Sequence, residues 1–181
     1  SSAASDVYKR QDMPSVGATI NALLVATKAK GVTTIENAAK EPEIVNVATF
    51  LNNMGAKIRG AGTETITIKG VEHLHKAFHE VIPDRIEAGT YIIIGALLGE
   101  NLKIKRIIPT HVESLTSKLI EAGADMEIKE DEIIINAKDK YKSVNVKTQP
   151  YPGFPTDLQQ PIIPFLTRCR GTSTVEETIY E

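Results

Sequence analysis

Apolar side chains recur along this chain with two alternating periods, one typical of helices and the other typical of strands. A helix is predicted over residues 16–29 with Ser15 as its N-cap, and a short β-branched strand follows over residues 32–36. A second helix begins at Pro42 and carries a one-sided apolar stripe of Ile44, Val47, Ala48 and Leu51. Residues 56–69 predict a hairpin, so the predicted order is α-β-α-β-β.

The same order of elements returns in the second half of the chain. A helix is predicted over residues 87–98, a strand over 102–107, a helix from Thr110 and a hairpin from Met126 to Asn136. Residues match across this repeat at an offset of 68 positions: Gly55 with Gly123, Leu51 with Leu119, and Ile66 with Ile134. A third copy begins at Asp157 and ends after its first helix and strand. The α-β-α-β-β repeat is therefore predicted twice in full and once in part.

One helix in each repeat is apolar on nearly all sides, over Ile20–Ala26 in the first and Tyr91–Leu98 in the second. Such helices are normally buried inside a protein. The sequence therefore predicts an α/β fold with helices inside and sheets outside, the reverse of a doubly wound sheet. Residues 1–11 are polar and lack periodicity, so we expect a disordered or non-native lead there.

Composition excludes some classes of partner. The 181 residues carry a net charge of −2, which gives no bulk attraction to nucleic acid or to an anionic membrane. No apolar run reaches the roughly 18 residues expected of a membrane span. The single cysteine, Cys169, excludes an internal disulfide and is typical of a reducing cytosol, so a cytoplasmic protein is expected. The four histidines lack metal-ligand spacing, so we expect no metal site and solvated rings at His73, His75, His79 and His111.

The stretch 151–160 is the first place to look for chemistry. Two prolines and a glycine stiffen its backbone, and Thr156-Asp157 then opens an apolar run. On the residues alone, the favoured role of this Thr-Asp pair is to cap a helix, and Ser15 is an N-cap on the same ground. Arg85, between Asp84 and Glu87, is most simply part of a surface ion-pair cluster.

Six short motifs together carry a family resemblance. The chain resembles the enolpyruvyl transferases, and among them those that act on UDP-N-acetylglucosamine. The motifs are PSVGAT at 14–19, IENAAKEPE at 35–43, NMGAKI at 53–58, PDRIEAGT at 83–90, YPGFPTDLQ at 151–159 and ETIYE at 177–181. They agree in order and spacing from about Asp12 to Glu181, so the resemblance covers nearly the whole chain.

The resemblance implies an inside-out α/β barrel fold built from repeated α-β-α-β-β units. The family has six such repeats in two domains, with helices inside, sheets outside and the site in the cleft between the domains. About two and a half repeats are expected here. Residues 12–82 would finish the first domain and residues 83–181 would begin the second. The remaining N-terminal and C-terminal parts of the same protein are then its expected partners.

The resemblance also implies a reaction without a cofactor. The enolpyruvyl group of phosphoenolpyruvate passes to the 3-hydroxyl of UDP-N-acetylglucosamine and phosphate is released. This is the first committed step of peptidoglycan synthesis, on which cell-wall biogenesis, cell shape and cell division depend. Asp157 would contact the sugar hydroxyl and handle its proton, and the backbone of Ile179 would contact the sugar nucleotide. Other positions implied are a nucleotide pocket at Ser15, Val16 and Gly17, and a cleft border at Arg85, Glu87 and Thr156.

Several parts of the family site have no match in this sequence. The reactive cysteine, the lysine and asparagine that hold phosphoenolpyruvate, and the arginines that clamp it are all expected outside the chain. Cys169 does not match the reactive-loop motif and is expected to be inert. The chain alone is therefore expected to be inactive. Two alternatives stay open, the shikimate-pathway enolpyruvyl transferase acting on shikimate 3-phosphate, and a repeat-built binding module without chemistry.

Overall fold

The computed structural model describes residues 7–180, and the chain divides into two compact units. The first unit runs to Ile82 and the second begins at Pro83. The assignment of these units to the first and second domains of a longer transferase stays a prediction. None of the helices between residues 7 and 180 is long and apolar enough to cross a membrane.

The first unit is a four-stranded sheet with two helices. Its elements are β1 (Val7–Arg10), α1 (Val16–Ala26), β2 (Val32–Glu36), α2 (Pro42–Asn53), β3 (Lys57–Arg59) and β4 (Thr65–Lys69). The strand order is β1-β2-β4-β3, in which β1 is parallel to β2 and the other pairs are antiparallel. Successive side chains of a strand point to opposite faces, and Ile35, Ile66 and Ile68 are buried in one hydrophobic core. The helices contribute Leu23, Ile44 and Leu51 to the same core.

The prediction of a disordered or non-native lead is wrong for residues 7–11. β1 pairs along its length with β2, and Gln11 is buried at 7% exposure. The Gln11 amide donates to Thr19 Oγ1 at 2.9 Å and its oxygen accepts from Ser15 N at 3.1 Å. The side chains of β1 are all exposed, so backbone pairing holds a strand that leaves no hydrophobic pattern. Residues 1–6 lie outside the described residues.

The second unit repeats this order and then extends it. Its first elements are α3 (Arg85–Leu98), β5 (Leu102–Lys105), a 3-10 turn (Pro109–Val112), α4 (Glu113–Glu121), β6 (Asp125–Ile128) and β7 (Glu132–Asn136). The sheet order is β5-β7-β6, and both pairs are antiparallel. β8 (Tyr141–Lys142), β9 (Val146–Lys147), a 3-10 turn (Thr156–Leu158), α5 (Gln159–Thr167), β10 (Cys169–Arg170) and β11 (Val175–Glu176) follow. β8 pairs in parallel with β10, and β9 pairs in parallel with β11.

The predicted repeat is confirmed, with one error of register. Gly55 and Gly123 both have a φ of +98°, and both end the second helix of their repeat. The match of Ile66 with Ile134 is wrong, because Ile66 pairs with Ile35 whereas Ile133 occupies the corresponding place opposite Ile104. The second hairpin is one residue shorter than the first. A shift of one residue moves a strand side chain to the opposite face of its sheet.

The two helices that are apolar on nearly all sides are buried on one face only within their own units. In α1, Leu24 and Val25 are 48% and 73% exposed, and in α3, Tyr91 and Leu98 are 52% and 77% exposed. The opposite face of each helix packs into the core of its unit through Leu23 in α1 and Ile92 in α3. In each unit, therefore, one face of this helix packs in the core and the other leaves apolar side chains exposed.

Candidate functional site

The loop after β9 is a tight turn held by its own backbone. Gln149 N donates to Phe154 O and Gly153 N donates to Pro150 O, both at 2.9 Å. A Cβ at Gly153 would lie only 2.4 Å from Gln149 Cβ, so this turn requires glycine. Phe154 is buried in the core of the second unit. The predicted stiff approach to Asp157 is confirmed.

The predicted helix cap at Thr156 or Asp157 is wrong. The two residues form a 3-10 turn that follows Pro155, and neither side chain caps that turn or α5. The Thr156 hydroxyl donates instead to Glu177 Oε2 at 2.7 Å. The Asp157 carboxylate is exposed and has no hydrogen bond or ion pair with any residue between 7 and 180. It is therefore free to accept a proton or to bind a ligand.

The next residue, Leu158, anchors this turn to the core. Its side chain is 1% exposed and packs against Gly89 of α3. A Cβ at Gly89 would lie 2.6 Å from Leu158 Cδ1, so the absence of a side chain at Gly89 makes room for the turn. A glycine inside a helix costs about 1 kcal/mol relative to alanine, and here the close packing gives a physical reason for it. The position of Asp157 therefore depends on a contact made by its neighbour.

A cavity of about 360 Å³ opens beside Asp157. Its lining side chains are Thr156, Asp157, Gln159, Gln160, Glu177 and Tyr180. Glu177 directly follows β11 and Thr148 directly follows the parallel strand β9, so the cavity lies at the carboxyl ends of two parallel strands. The volume suits part of a small molecule.

Glu177 is the centre of the hydrogen bonding around this cavity. Its Oε1 accepts from Thr148 Oγ1 at 2.7 Å, from Ile179 N at 2.6 Å and from Tyr180 N at 3.3 Å, while Oε2 accepts from Thr156. The hydroxyls of Thr148 and Thr156, followed by the two backbone N–H groups, lower the pKa of Glu177 to about 2. Of the two carboxylates that line the cavity, Glu177 is engaged and ionised at neutral pH, and Asp157 is free.

The residues that follow β11, 177–180, are called the strand-end segment. Ile179 lies in this segment between Glu177 and Tyr180, and its side chain is half-buried. Because its N–H donates to Glu177, the backbone group left for a ligand is its carbonyl oxygen. Thr156, Asp157 and Ile179 were all predicted as site residues, and they lie together around one cavity or directly beside it. Their roles in binding stay predictions.

Arg85 and Glu87 lie at the beginning of α3. Asp84 caps this helix by accepting from Ile86 N at 2.8 Å and Glu87 N at 3.1 Å. Asp84 thus acts as a helix N-cap. The Arg85 guanidinium lies 5.6 Å from the centre of the Tyr151 ring, a cation–π distance. Arg85 therefore contacts the same loop that leads to Asp157.

Ser15, Val16 and Gly17 lie in the first unit, where they begin α1. Ser15 Oγ accepts from Ala18 N at 3.3 Å, so the predicted N-cap is confirmed. Ser15 and Gly17 are exposed, and a Cβ at Gly17 would meet no atom within 4 Å. The Ser15 O–H remains a possible donor to a ligand because the cap uses only the oxygen as an acceptor. The nucleotide-binding role of these three residues stays a prediction.

Comparison with known proteins decides the family. The family model described as EPSP synthase (3-phosphoshikimate 1-carboxyvinyltransferase) matches residues 3–181. This chain belongs to the EPSP synthase family. The match includes most of the lead that was expected to be non-native.

Two relatives in this family share more than half of the matched residues. One, from Listeria monocytogenes serotype 4b (strain F2365), is 57% identical over 169 residues, which are 93% of this chain and 40% of the relative. Another, from Lactiplantibacillus plantarum (strain ATCC BAA-793 / NCIMB 8826 / WCFS1), is 58% identical over 170 residues, with the same coverage of 93% and 40%. Both are named UDP-N-acetylglucosamine 1-carboxyvinyltransferase 2. The chain thus spans about 40% of the length of these curated relatives.

Solved structures show the family fold. The enolpyruvyl transferase NikO from Streptomyces tendae superposes with a TM-score of 0.81 at 27% identity, covering 91% of this chain and 40% of that one. EPSP synthase from Acinetobacter baumannii gives a TM-score of 0.53 at 20% identity, with coverage of 77% and 34%, and bears on the fold alone. The predicted enolpyruvyl-transferase fold is confirmed.

The remaining polar candidates of this EPSP synthase family member do not line the cavity. Cys169 Sγ points to Phe165 O at 3.5 Å, and burial raises the pKa of the thiol, so it is a protonated, weak nucleophile at neutral pH. The prediction of a solvated ring is wrong for His79. The centres of the His79 and Phe50 rings lie 5.1 Å apart, and the His79 Nε2 atom is buried. Between residues 7 and 180, no group of three or more His, Cys, Asp or Glu side chains could hold a metal ion.

Proposed function

We propose that the protein containing this chain is a UDP-N-acetylglucosamine enolpyruvyl transferase that works in the cytoplasm. It transfers the enolpyruvyl group of phosphoenolpyruvate to the sugar 3-hydroxyl and releases phosphate, the first committed step of peptidoglycan synthesis. The observation that carries the proposal is the free Asp157 carboxylate beside a cavity of about 360 Å³. The names of relatives at 57–58% identity supply the substrate. Cell shape and cell division depend on this step through the cell wall.

Asp157 acts on the proton of the acceptor hydroxyl. The sugar oxygen attacks C2 of phosphoenolpyruvate while its proton passes to the carboxylate and C3 takes up a proton from an acid elsewhere in the full-length protein, which gives a tetrahedral adduct. Loss of a proton from C3 then expels phosphate and leaves the enolpyruvyl ether. An exposed carboxylate that has no partner among residues 7–180 can approach the hydroxyl and exchange protons, as a general base must. The family resemblance assigns the groups that hold phosphoenolpyruvate to other parts of the protein.

Backbone and hydroxyl groups then bind the sugar nucleotide. The Ile179 carbonyl oxygen accepts a hydrogen bond from the ligand, since its N–H is already given to Glu177. In the first unit, the Ser15 O–H donates to uridine or phosphate oxygens, and Val16 and Gly17 line the pocket around it. The first turn of α1 adds backbone N–H groups, to which the helix dipole attracts phosphate. Arg85 and Glu87 border the site, and Arg85 steadies the loop through Tyr151.

The shikimate-pathway reaction is the second candidate, because the matching family is described by 3-phosphoshikimate 1-carboxyvinyltransferase. Two observations favour UDP-N-acetylglucosamine. The relatives at 57–58% identity carry the sugar-nucleotide name, whereas the EPSP synthase structure is 20% identical. The family match and the names of these relatives favour an enzyme over a binding module without chemistry.

Titration calorimetry of the full-length protein tests the substrate. We expect UDP-N-acetylglucosamine to bind at least about tenfold more tightly than shikimate 3-phosphate, a difference of about 1.4 kcal/mol. UDP-N-acetylglucosamine is the substrate in the names of the relatives at 57–58% identity. Tighter binding of shikimate 3-phosphate would replace the proposed acceptor, and absence of binding by either would favour the module. Asp131→Asn, an exposed hairpin residue that does not line the cavity, is the control.

A further inference from the structure

We propose that Glu177 is a positioning residue that fixes the Asp157 turn and the Ile179 backbone in one arrangement for binding the sugar nucleotide. The inference rests on the proposed function and extends it to the first residue of the ETIYE motif, for which no role was predicted. Its basis is the set of four hydrogen bonds that one carboxylate accepts from three separate segments.

Glu177 reaches well beyond its own turn. A side chain that only caps a local turn accepts from backbone N–H groups two or three residues ahead, as Glu177 does from Ile179 and Tyr180. It also accepts from Thr148 and Thr156, which are 29 and 21 residues away in the sequence. The carboxylate thus joins the end of β9, the Asp157 turn and the strand-end segment after β11.

Thr148 reinforces the same junction from inside. It is fully buried, and its Oγ1 accepts from Thr178 N at 2.9 Å while donating to Glu177. Its backbone N donates to Glu176 O at 2.9 Å, which continues the parallel pairing of β9 with β11. Residues 176–180 are therefore held by Thr148 and Glu177 together. The Ile179 carbonyl then has a defined direction when a ligand arrives.

Glu177 is not itself placed to transfer a proton. Both of its oxygens already accept hydrogen bonds, and protonation would weaken all four contacts. Asp157 beside it has none of these contacts. The two carboxylates of the cavity therefore divide the work, since Glu177 orders the site and Asp157 acts on the substrate.

Two substitutions separate geometry from charge. Glu177→Gln retains an amide oxygen that can accept the three Oε1 contacts, and its NH₂ group can donate to the Thr156 hydroxyl oxygen. Glu177→Ala removes all four acceptors and leaves the strand-end segment without its tie. Glu176→Ala is the matched control, because Glu176 is the preceding residue and is exposed, and its side chain pairs with Lys147 at 2.9 Å.

Steady-state kinetics of the full-length protein test the inference. We expect Glu177→Ala to raise KM for UDP-N-acetylglucosamine about tenfold and to change KM for phosphoenolpyruvate less than about twofold, because the ordered groups contact the sugar. Glu177→Gln should stay within about threefold of wild type, and Glu176→Ala should match wild type. Hydrogen exchange should show faster exchange at the Ile179 and Tyr180 amides in Glu177→Ala only.

Other results would overturn the inference. Kinetics of Glu177→Ala equal to those of Glu176→Ala would remove the positioning role, and an equal rise in both KM values would indicate general destabilisation. If Glu177→Ala does not fold, Thr156→Val cuts one tie, and an unchanged sugar-nucleotide KM there would contradict the inference. A wild-type protein that does not use UDP-N-acetylglucosamine would instead refute the proposed function, while the exchange rates would still report whether Glu177 orders the segment.

Discussion

Replacing Asp157 by alanine is expected to lower kcat of the full-length enzyme about 10²- to 10⁴-fold, the usual contribution of a positioned general base. The temperature of unfolding should stay unchanged, because this exposed carboxylate makes no hydrogen bond or ion pair with residues 7–180. Phosphate release measures the rate, and a thermal melt followed by circular dichroism measures the stability. The combination of a large kinetic effect with no structural effect is what a catalytic side chain produces.

Two further variants make the test of Asp157 more specific. Asp157→Asn keeps the size of the side chain and removes its basicity, so it should lose as much turnover as the alanine variant while retaining sugar-nucleotide binding. Asp131→Ala, which removes an exposed carboxylate from a hairpin turn, should have wild-type rates. Wild-type turnover in Asp157→Ala would exclude Asp157 from the chemistry, and a clearly lower unfolding temperature would assign it a structural role.

Truncation of Leu158 to alanine is expected to destabilise the protein by about 2–5 kcal/mol. This side chain is 1% exposed, and its methyl groups fill the space beside Gly89 of α3. Urea denaturation measures the loss as a change in the free energy of unfolding. Turnover should fall as well, because the turn that carries Asp157 loses its anchor. Full stability in this variant would show that the turn is held by other contacts.

A double-mutant cycle tests the contact between Leu158 and Gly89 directly. Gly89→Ala alone should cost about 1–3 kcal/mol through overpacking, since the new Cβ would lie 2.6 Å from Leu158 Cδ1. In the Leu158→Ala background the same change should cost less, because the added methyl group enters the vacated space. Gly95→Ala on the same helix is the control, because its new Cβ would lie 2.2 Å from Ile135 Cγ2. Its effect on the free energy of unfolding should be additive with that of Leu158→Ala. Strict additivity for Gly89 would contradict the contact.

Much of the fold could be predicted from local sequence patterns, and the errors of that prediction have local causes. The apolar stripe of α2 and the alternation in β2 and β4 are strong signals, so the α-β-α-β-β order could be predicted. The register error at Ile134 arose because the residues that set the offset, Gly55 and Gly123, lie before a hairpin that is one residue shorter in the second repeat. β1 was missed because its four side chains are exposed and backbone pairing with β2 holds it.

The site was predictable where a residue acts within its own segment. Ser15 caps α1 through an atom three residues ahead, and motif agreement marked Asp157 as a site residue. Thr156 was expected to cap a helix, but its hydroxyl bonds Glu177, which is 21 residues away. Glu177 itself went unmarked for the same reason, because its role depends on pairing between β9 and β11 that no single stretch encodes. The available clue was its place at the start of the ETIYE motif, two residues before Ile179.

The most direct test of the proposed function is the acceptor dependence of phosphate release by the full-length protein. Phosphoenolpyruvate is supplied with either UDP-N-acetylglucosamine or shikimate 3-phosphate, for wild type and for Asp157→Ala. We expect rapid release only with UDP-N-acetylglucosamine and only in wild type. Equal or faster release with shikimate 3-phosphate, or unchanged release in Asp157→Ala, would contradict it.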